Sequence, residues 1–306
     1  MKSLGMLTSL RKNKLYYVLI LPGLLYFLVF QYVPLYGVII AFKDVAPFDG
    51  LSGIFTAEWV GLKHFRTFTS SHYFWEILGN TVLISFYRLL FGFPAPIILA
   101  LLMNEVRAAW YKKLVQTISY LPHFISMVVL AGLITTVFAL DGGILNLLLQ
   151  KLGFDPVYFL GDNRYFRSVL VVSGIWKDIG WGTIVYLAAI SGINQELYEA
   201  AVVDGASKFK QIWHITLPGM MFIVVIMFIF AIGGLLNAGF EQIFLLYSPP
   251  VYKVADIIDT YVYRKGMVEM QYSFATAVSL FKSFIAMFLL LGTNYLAKKF
   301  NQEGIW

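Results

Sequence analysis

The chain has 306 residues, of which 59% are apolar and 13% are charged, with a formal net charge of +6 and no cysteine. Soluble domains contain roughly 45–50% apolar and 25% charged residues, so the core of a soluble protein of this length cannot hold the apolar excess. The absence of cysteine excludes a disulfide framework and Cys-ligated metals. The positive charge is typical of basic cytoplasmic loops in a membrane protein. No basic stripe with interleaved aromatic residues is present, so nucleic-acid binding is not expected.

The apolar residues fall in about six runs, each long enough to cross a hydrocarbon core of about 30 Å. The predicted transmembrane helices are 15–33, 76–103, 115–138, 167–190, 219–247 and 273–297. The first run is predicted to be a retained helix rather than a cleaved signal peptide, because it continues to about Phe42. Its last part, 34–42, follows a proline and is either a kinked extension of the helix or a short interfacial piece.

The loops predict the topology of the chain. An apolar piece in the loop 140–165 is too short to span, and it is predicted to lie on the membrane surface or over a pore mouth. Asp256 and Asp259, in the last outer loop, are interpreted as solvated or as facing a receptor. Basic flanks before helices one and three and after helix six predict that both termini are cytoplasmic. The predicted fold is an all-α integral membrane protein, with a single transmembrane domain over residues 1–306.

The most informative segment, 194–218, joins the fourth and fifth predicted helices. Asn194 is predicted to cap a short helix, and Gly205 to end it in the left-handed conformation. Ser207 is predicted to cap a second short helix, and Pro218 suits the opening turn of helix five, where its missing N–H costs nothing. The pattern predicts a helix–turn–helix elbow on the cytoplasmic surface, with a face of small residues that another protein can approach closely.

The letters EAAVVDGASKFKQIWHITLP at 199–218 resemble the EAA loop of binding-protein-dependent ABC importer permeases. The family pattern is Glu-Ala-Ala, three residues, glycine, and about nine residues before Ile-x-Leu-Pro, and the chain has each part in register. In that family the loop docks into a groove on the ATPase subunit and transmits nucleotide-driven closure. The implied ATPase-coupling residues are Glu199, Ala200, Ala201, Asp204, Gly205, Ala206, Leu217 and Pro218. One departure is Ile212, where many relatives have an aromatic residue, although an apolar contact would survive the change.

The resemblance covers essentially the whole chain. LPGLLYFLVFQYVPLYGVIIAFKD near the start, GLKHF at 61–65, GNTVLIS at 79–85 and IWKDIGWGTIVYLAAISGI at 175–193 are similar to the maltose-type, sugar-importing branch. Within it, the start motif and the EGIW tail look most like permeases paired with lipoprotein receptors for complex or acidic oligosaccharides. This resemblance implies a type I ABC importer permease that moves a sugar or oligosaccharide across the bacterial cytoplasmic membrane by ATP-driven alternating access.

The resemblance also implies the partners. The expected ones are a second, non-identical permease subunit, two ATPase subunits that bind ATP and Mg, an extracytoplasmic solute-binding protein, and membrane lipid. No cofactor is expected on this chain, and no catalytic residues, because it lacks a phosphate-cradling glycine loop and any nucleophile–base arrangement. Its four histidines form no ligand-like cluster, so no metal site is expected. Two alternatives remain open, an ABC permease for a non-sugar solute and an ion-driven secondary transporter.

Polar and aromatic residues within the predicted spans are candidates for the solute pathway. Charged side chains inside a membrane are costly unless they face protein or water. Arg88 and Lys282 are interpreted as structural or snorkelling. The neighbours Lys177 and Asp178 either neutralise one another or adjacent helices, or line the solute path. In maltose-type relatives the helices flanking the coupling loop hold the sugar.

An oligosaccharide site should pair aromatic rings, which stack on sugar C–H faces, with amides and carboxylates that bind hydroxyls. The candidate pathway residues are Trp176, Asp178, Trp181, Tyr186, Asn237 and Glu241. For the two tryptophans, helix packing or a place at the membrane interface is the alternative role.

Overall fold

The structure, a computed structural model, describes residues 13–299 of the chain. In chain order the elements are α1 Lys14–Phe42, β1 Lys43–Asp44, α2 Gly53–Thr56, β2 Glu58–Trp59, α3 Lys63–Thr69, α4 Phe74–Glu105, α5 Ala109–Phe124, α6 Met127–Val137, α7 Ile144–Lys151, α8 Phe166–Ser191, α9 Gln195–Val203, α10 Lys208–Gly233, α11 Phe240–Leu246, α12 Tyr252–Ala255, α13 Ile258–Tyr263 and α14 Tyr272–Lys299. Nearly all long segments are helical, as a bilayer requires, because a helix satisfies its own backbone polar groups.

Within residues 13–299, four helices are long and apolar enough to cross a membrane: α1, α4, α10 and the Tyr272–Leu296 part of α14. A fifth span is possible if α5 and α6 are counted together. Helix α8 has 26 residues but is less apolar, because it carries Lys177, Asp178 and several glycines. The predicted all-α membrane class is confirmed, whereas the number of spans and the cytoplasmic termini stay predictions. The EGIW tail and most of the first basic flank lie outside the described residues.

The prediction of one continuous third helix over 115–138 is wrong. The chain forms two helices, α5 and α6, which meet at an angle of 106°. Pro122 lies in the 3-10 turn that ends α5, and Ile125 and Ser126 are extended. The hydroxyl of Ser126 accepts a hydrogen bond from the Val129 N–H at 3.4 Å, so it caps the new helix. The bend is therefore a sharp corner at which one helix ends and a separately capped helix begins.

The predicted start of helix five at 219 is also wrong. Helix α10 begins at Lys208 and runs without a break through Pro218, so this proline does not open a helix. A π turn over Ile212–Thr216 precedes it, in which the Leu217 N–H donates to the Ile212 carbonyl. Proline cannot make the usual bond to the residue four positions back and its ring crowds that carbonyl. The wider π turn accommodates the proline without ending the helix.

The same predicted helix ends too late at 247. Helix α10 stops at Gly233, and the backbone then turns through Ala238 and Gly239, whose φ values are +45° and +82°. Both residues lie in the left-handed region, where a helix cannot continue. The short helix α11 therefore has a different course from α10. The stretch 34–42, for which a kinked extension and an interfacial piece were the two predictions, continues α1 and ends as a 3-10 helix over Tyr36–Phe42.

The described chain folds into two compact units. The first comprises 13–70 and 262–280. In it, β1 and β2 pair antiparallel, with Lys43 opposite Trp59. The Asp44 carboxylate accepts a hydrogen bond from Lys63 at 2.6 Å, and this bond lowers the pKa of Asp44. The Val45 N–H donates to the Ser273 hydroxyl at 3.1 Å, which joins the two stretches of this unit.

The second unit comprises 71–261 and 281–299 and contains the coupling segment. Its main apolar core joins residues far apart in the chain, among them Ile84, Leu130, Leu170, Ile243 and Ile257. A second cluster joins α4, α8 and α10 through Ala100, Tyr186, Ile190 and Met220. Apolar contacts of this kind hold the helices that surround the candidate site. The predicted single domain over 1–306 stays a prediction.

Charged groups of the second unit are paired across long distances in sequence. Lys282 donates to both carboxylate oxygens of Asp259 at 2.7 Å, which agrees with the structural role predicted for Lys282. Asp256 is buried and accepts a hydrogen bond from the Thr260 hydroxyl at 2.6 Å. The interpretation of these two acids as solvated loop residues is therefore wrong. A buried carboxylate needs such partners, because burying an unpaired charge is costly.

Candidate functional site

The segment 194–218 forms the elbow that its sequence predicts, starting with α9. The side chain of Asn194 caps α9 by accepting a hydrogen bond from the Glu196 N–H at 3.0 Å. Its amide also donates to the Glu196 carboxylate at 3.1 Å. Glu196 lies in the first turn of α9, where its negative charge interacts favourably with the positive end of the helix. The start of α9 is thus determined by neighbouring residues.

A Schellman motif closes the other end of α9. The Gly205 N–H donates to the Val202 carbonyl at 3.0 Å, and the Ala206 N–H donates to the Ala201 carbonyl at 2.8 Å. Gly205 has a φ of +72°, the left-handed conformation that this motif needs and that glycine adopts at little cost. Ser207 then caps α10 through a 3.4 Å hydrogen bond from the Lys210 N–H. The turn between the two helices is therefore tightly specified.

Side chains fasten the elbow to the membrane helices of the same unit. The Tyr198 hydroxyl lies 2.9 Å from the buried Thr216 hydroxyl, which connects α9 to α10. The buried amide of Gln211 donates to the Ala206 carbonyl at 3.0 Å. Lys208 pairs with Glu105 at the end of α4, with an N–O distance of 3.4 Å. These bonds join α9 to α10, and α10 to α4.

One face of the elbow is exposed and does not pack against the rest of the described chain. Of the predicted coupling residues, Glu199, Ala200, Asp204, Gly205 and Pro218 are exposed, and Ala201, Ala206 and Leu217 are partly buried. Three large apolar side chains are also exposed, Val203 (87%), Phe209 (73%) and Trp213 (60%). The rings of Phe209 and Trp213 stack with centroids 6.4 Å apart. Sequence reasoning missed these three, although the spacing of two aromatics by four residues was a visible signal.

A cavity of about 540 Å³ lies between α4, α5, α8 and α10. Three of the predicted pathway residues line it together: Asp178, Trp181 and Tyr186. Arg88 and His123, which were not among the predicted pathway residues, line the same cavity. The wall thus combines aromatic faces with charged and polar groups, as a sugar site requires. Most of the lining is apolar, which is common in solute-binding cavities.

His123 lies at the corner between α5 and α6 and brings several groups together. Its Nδ1 atom lies 3.0 Å from the Asp178 carboxylate. Its ring stacks on Trp181 with centroids 4.7 Å apart and planes within 4°. The corner itself is closed by Lys177, whose ammonium donates to the carbonyls of His123 at 2.9 Å and Ile125 at 2.8 Å. The last carbonyls of a helix have no partner within the helix, so a cation that binds there stabilises the end of α5.

Lys177 and Asp178 therefore do not neutralise one another. Each contacts the neighbouring corner, Lys177 through backbone carbonyls and Asp178 through the His123 ring. Lys177 has a structural role, while Asp178 also lines the cavity. Gly180 brings α8 against α5, because an added Cβ would lie 2.1 Å from the Ser119 carbonyl oxygen. A glycine commonly permits such close packing of two helices in membrane proteins.

The remaining predicted pathway residues lie apart from this cavity. Asn237 is exposed and lines a neighbouring cavity of about 370 Å³, which Arg88 also lines. Trp176 faces an apolar cavity of about 350 Å³ between α6 and α8. Glu241 is exposed at the start of the Phe240–Leu246 helix and lines none of these cavities. In the part of the chain that the structure describes, no three His, Asp or Glu residues are placed to hold a metal ion.

Comparisons with known proteins agree with this geometry. The family described as binding-protein-dependent transport system inner membrane component matches residues 92–302. Protein LplB of Bacillus subtilis is 46% identical over 305 residues, covering 100% of this chain and 95% of that protein. The polygalacturonan/rhamnogalacturonan transport system permease protein YteP of the same organism is 45% identical over 302 residues, covering 98% and 93%.

A solved structure of a bacterial alginate ABC transporter, in complex with alginate pentasaccharide-bound periplasmic protein, contains a similar chain. Its TM-score is 0.90 at 40% identity, and the match covers 97% of this chain and 99% of that one. The chain belongs to the family of binding-protein-dependent transport system inner membrane components. It has the type I ABC importer permease fold and is a multi-pass membrane transport subunit rather than an enzyme.

Proposed function

We propose that this chain forms half of the transmembrane path of an oligosaccharide importer in the bacterial cytoplasmic membrane. Support for a sugar comes from the relatives, since one is named for polygalacturonan and rhamnogalacturonan transport and a solved neighbour for alginate. The cavity supplies aromatic faces from Trp181 and Tyr186 and a hydrogen-bonding carboxylate from Asp178. These are the groups that a passing sugar ring needs.

The observation that carries the proposal is the fastened elbow. Segment 194–218 is capped at both helix starts, closed by a Schellman motif and bonded to α4 and α10. Its exposed face presents Glu199 and Asp204 beside apolar side chains such as Val203. We infer that an ATPase subunit binds this face and pushes on the membrane helices. ATP and Mg would bind to the ATPase, with no cofactor on this chain.

The assembly we propose contains a second, non-identical permease, two ATPase subunits and an extracytoplasmic solute-binding protein, surrounded by membrane lipid. In it both termini of this chain and the elbow lie in the cytoplasm. The binding protein delivers the oligosaccharide from outside, and ATP binding closes the two ATPases. Closure then draws the two elbows together and switches the cavity from one side of the membrane to the other.

The test is transport by the complete complex in proteoliposomes, with ATP on the side of the ATPases and binding protein on the other. Labelled oligogalacturonides, arabino-oligosaccharides, maltotriose and a tripeptide serve as probes. We expect uptake of at least one oligosaccharide that requires both ATP and binding protein and persists when ionophores collapse the ion gradients. Uptake without ATP, driven by a proton or sodium gradient, would indicate a secondary transporter instead. If the tripeptide alone were taken up, the proposal that the solute is an oligosaccharide would be rejected.

A further inference from the structure

Arg88 occupies an unusual position in the second unit. It begins the π turn Arg88–Gly92 within α4, and it lines both the 540 Å³ cavity and the neighbouring 370 Å³ cavity. π turns inside a helix are often found at functional sites, because they redirect side chains. The guanidinium therefore faces the space between α4, α8, α10 and the 234–239 turn, within a helix that is apolar enough to span the membrane.

The hydrogen bonds of Arg88 leave much of its capacity unused. Its Nη2 atom donates to the side-chain oxygen of Gln242. The Gln242 amide nitrogen in turn donates to the Leu170 carbonyl at 3.2 Å and the Ser173 hydroxyl at 2.7 Å, so the neutral oxygen is held toward Arg88. The Nε atom of Arg88 is buried and has no hydrogen-bond partner among residues 13–299. An arginine has five N–H groups to donate, and the single bond to Gln242 uses only one of them.

Three other partly buried cations of the second unit are paired more completely. Lys282 binds both oxygens of Asp259, and Lys177 binds two carbonyls. Arg167 donates from Nη2 to the Asn80 side chain at 2.6 Å and from Nε to the Val254 carbonyl at 3.0 Å. Among the described residues, no carboxylate lies within 4.0 Å of Arg88. A cation that no carboxylate contacts directly is costly in a membrane helix, so it favours an anion that reaches it.

The backbone around Arg88 is adapted to hold the guanidinium. A Cβ atom added to Gly239 would lie 2.3–2.4 Å from three atoms of the Arg88 guanidinium. Gly239 also has a φ of +82°. A larger residue could not occupy this position without displacing the charged group. Irregular backbone within a membrane protein is tolerated where it lines a cavity. The turn at 234–239 thus leaves room for a cation rather than for packing.

We propose that Arg88 binds the carboxylate of a uronic acid unit as the oligosaccharide passes through this cavity. The inference rests on the proposed function and specifies the class of sugar, an acidic one. A guanidinium binds a carboxylate through charge-assisted, often paired hydrogen bonds. Trp181 and His123 offer a stacked aromatic surface in the same cavity for the sugar ring. Asp178 also lines this cavity and adds negative charge, so a singly charged carboxylate fits better than a doubly charged phosphate.

The experiment compares two sugars that differ only in their carboxylates. Uptake of labelled oligogalacturonide, oligoguluronate and oligoglucuronate trisaccharides is measured in proteoliposomes of the complete complex, beside the carboxyl-reduced form of each. We expect the wild type to prefer at least one acidic sugar over its reduced form. In Arg88→Gln that preference should fall by about tenfold or more, since a hydrogen-bonded charge contact is lost. Because every variant uses the same binding protein, a change in the ratio belongs to the permease.

Two further variants separate recognition from folding. Arg88→Lys keeps the charge but loses the planar fork, so its preference should lie between those of the wild type and Arg88→Gln. Asn237→Asp is nearly isosteric and places a carboxylate in the smaller cavity that Arg88 lines, so it should also reduce the preference. If Arg88→Gln and Arg88→Lys both lowered the uptake of the acidic sugar and of its reduced form equally, Arg88 would have a structural role and the proposal would be overturned.

Three further outcomes would overturn the assignment of Arg88 to a sugar carboxylate, and a fourth would also reject the importer. An unchanged ratio in Arg88→Gln, or inhibition by glycerol 3-phosphate with no uptake of an acidic sugar, would overturn the carboxylate assignment. ATP-dependent uptake of neutral sugars without any preference for acidic ones would overturn it too, while the oligosaccharide importer stands. Absence of ATP-dependent uptake of every sugar would reject the importer and the assignment together.

Discussion

The elbow and the cavity of this permease are built in opposite ways. The elbow depends mostly on bonds between near neighbours, such as Asn194 with Glu196 and Ala206 with Ala201. The cavity depends on contacts between distant parts of the chain, such as Arg88 with Gln242, which are 154 positions apart. A locally bonded elbow can move as one rigid piece. A cavity assembled from separate helices can change shape when those helices move, as alternating access requires.

Substitutions at Gly205 test the rigid elbow most strongly. Its φ of +72° is incompatible with proline, which is fixed near −65°, and proline would also lose the N–H bond to the Val202 carbonyl. We expect Gly205→Pro to abolish uptake and transport-coupled ATP hydrolysis while the binding protein still captures its solute. Uptake assays, ATPase assays and a binding titration on the same complex make the measurement.

The matched controls at this position isolate the backbone conformation. No atom lies within 4 Å of a Cβ added at Gly205, so side-chain size is not the obstacle. Gly205→Asn should retain near-normal uptake, because asparagine adopts the left-handed conformation readily. Gly205→Ala should fall between the two, at a cost of about 1 kcal/mol. Normal uptake in the proline variant would argue strongly against a rigid elbow.

A smaller effect is expected where two helices that border the cavity meet. A methyl group at Gly180 would lie 2.1 Å from the Ser119 carbonyl oxygen, so Gly180→Ala must separate α5 and α8. Overpacking of this kind costs about 1–3 kcal/mol. We expect a lower thermal unfolding midpoint in detergent and reduced uptake. Gly132→Ala is the control, because nothing lies within 4 Å of its added Cβ and the change should be neutral or slightly stabilising. Equal stability of the two variants would contradict the close packing.

The smallest effect concerns the link between the two regions. Tyr198→Phe removes the hydroxyl that lies 2.9 Å from Thr216, and it leaves the capping bonds of the elbow intact. A hydrogen bond of this kind contributes about 1 kcal/mol. We expect ATP hydrolysis to persist while the number of sugars carried per ATP decreases, because α9 is then less firmly joined to α10. A stoichiometry equal to that of the wild type would remove this bond from the transmission path.

The two regions also differ in how far sequence reasoning reached. The caps at Asn194 and Ser207 and the stop at Gly205 were predicted correctly, because each depends on residues a few positions away. The start of α10 was misjudged at Pro218, since a proline near a helix start and a proline behind a π turn have the same local pattern.

Only some of the residues that line the cavity could be predicted from the sequence. Three pathway residues on α8 were placed together because one helix carries them. His123 was not foreseen, since its neighbours Asp178 and Trp181 are brought to it by the corner between α5 and α6. Arg88 was interpreted as structural or snorkelling, because its environment depends on a turn that lies about 150 residues further along the chain.

The proposed mechanism requires that the elbow lies in the cytoplasm and is covered by an ATPase. The chain has no cysteine, so Val203→Cys introduces a single thiol at an 87% exposed position of the elbow. A membrane-impermeant maleimide is applied to right-side-out and inside-out vesicles, with and without the ATPase, and Leu152→Cys serves as the outer-loop control. We expect labelling of position 203 from the cytoplasmic face alone, and protection when the ATPase is bound. Labelling from outside, or equal labelling with and without the ATPase, would contradict it.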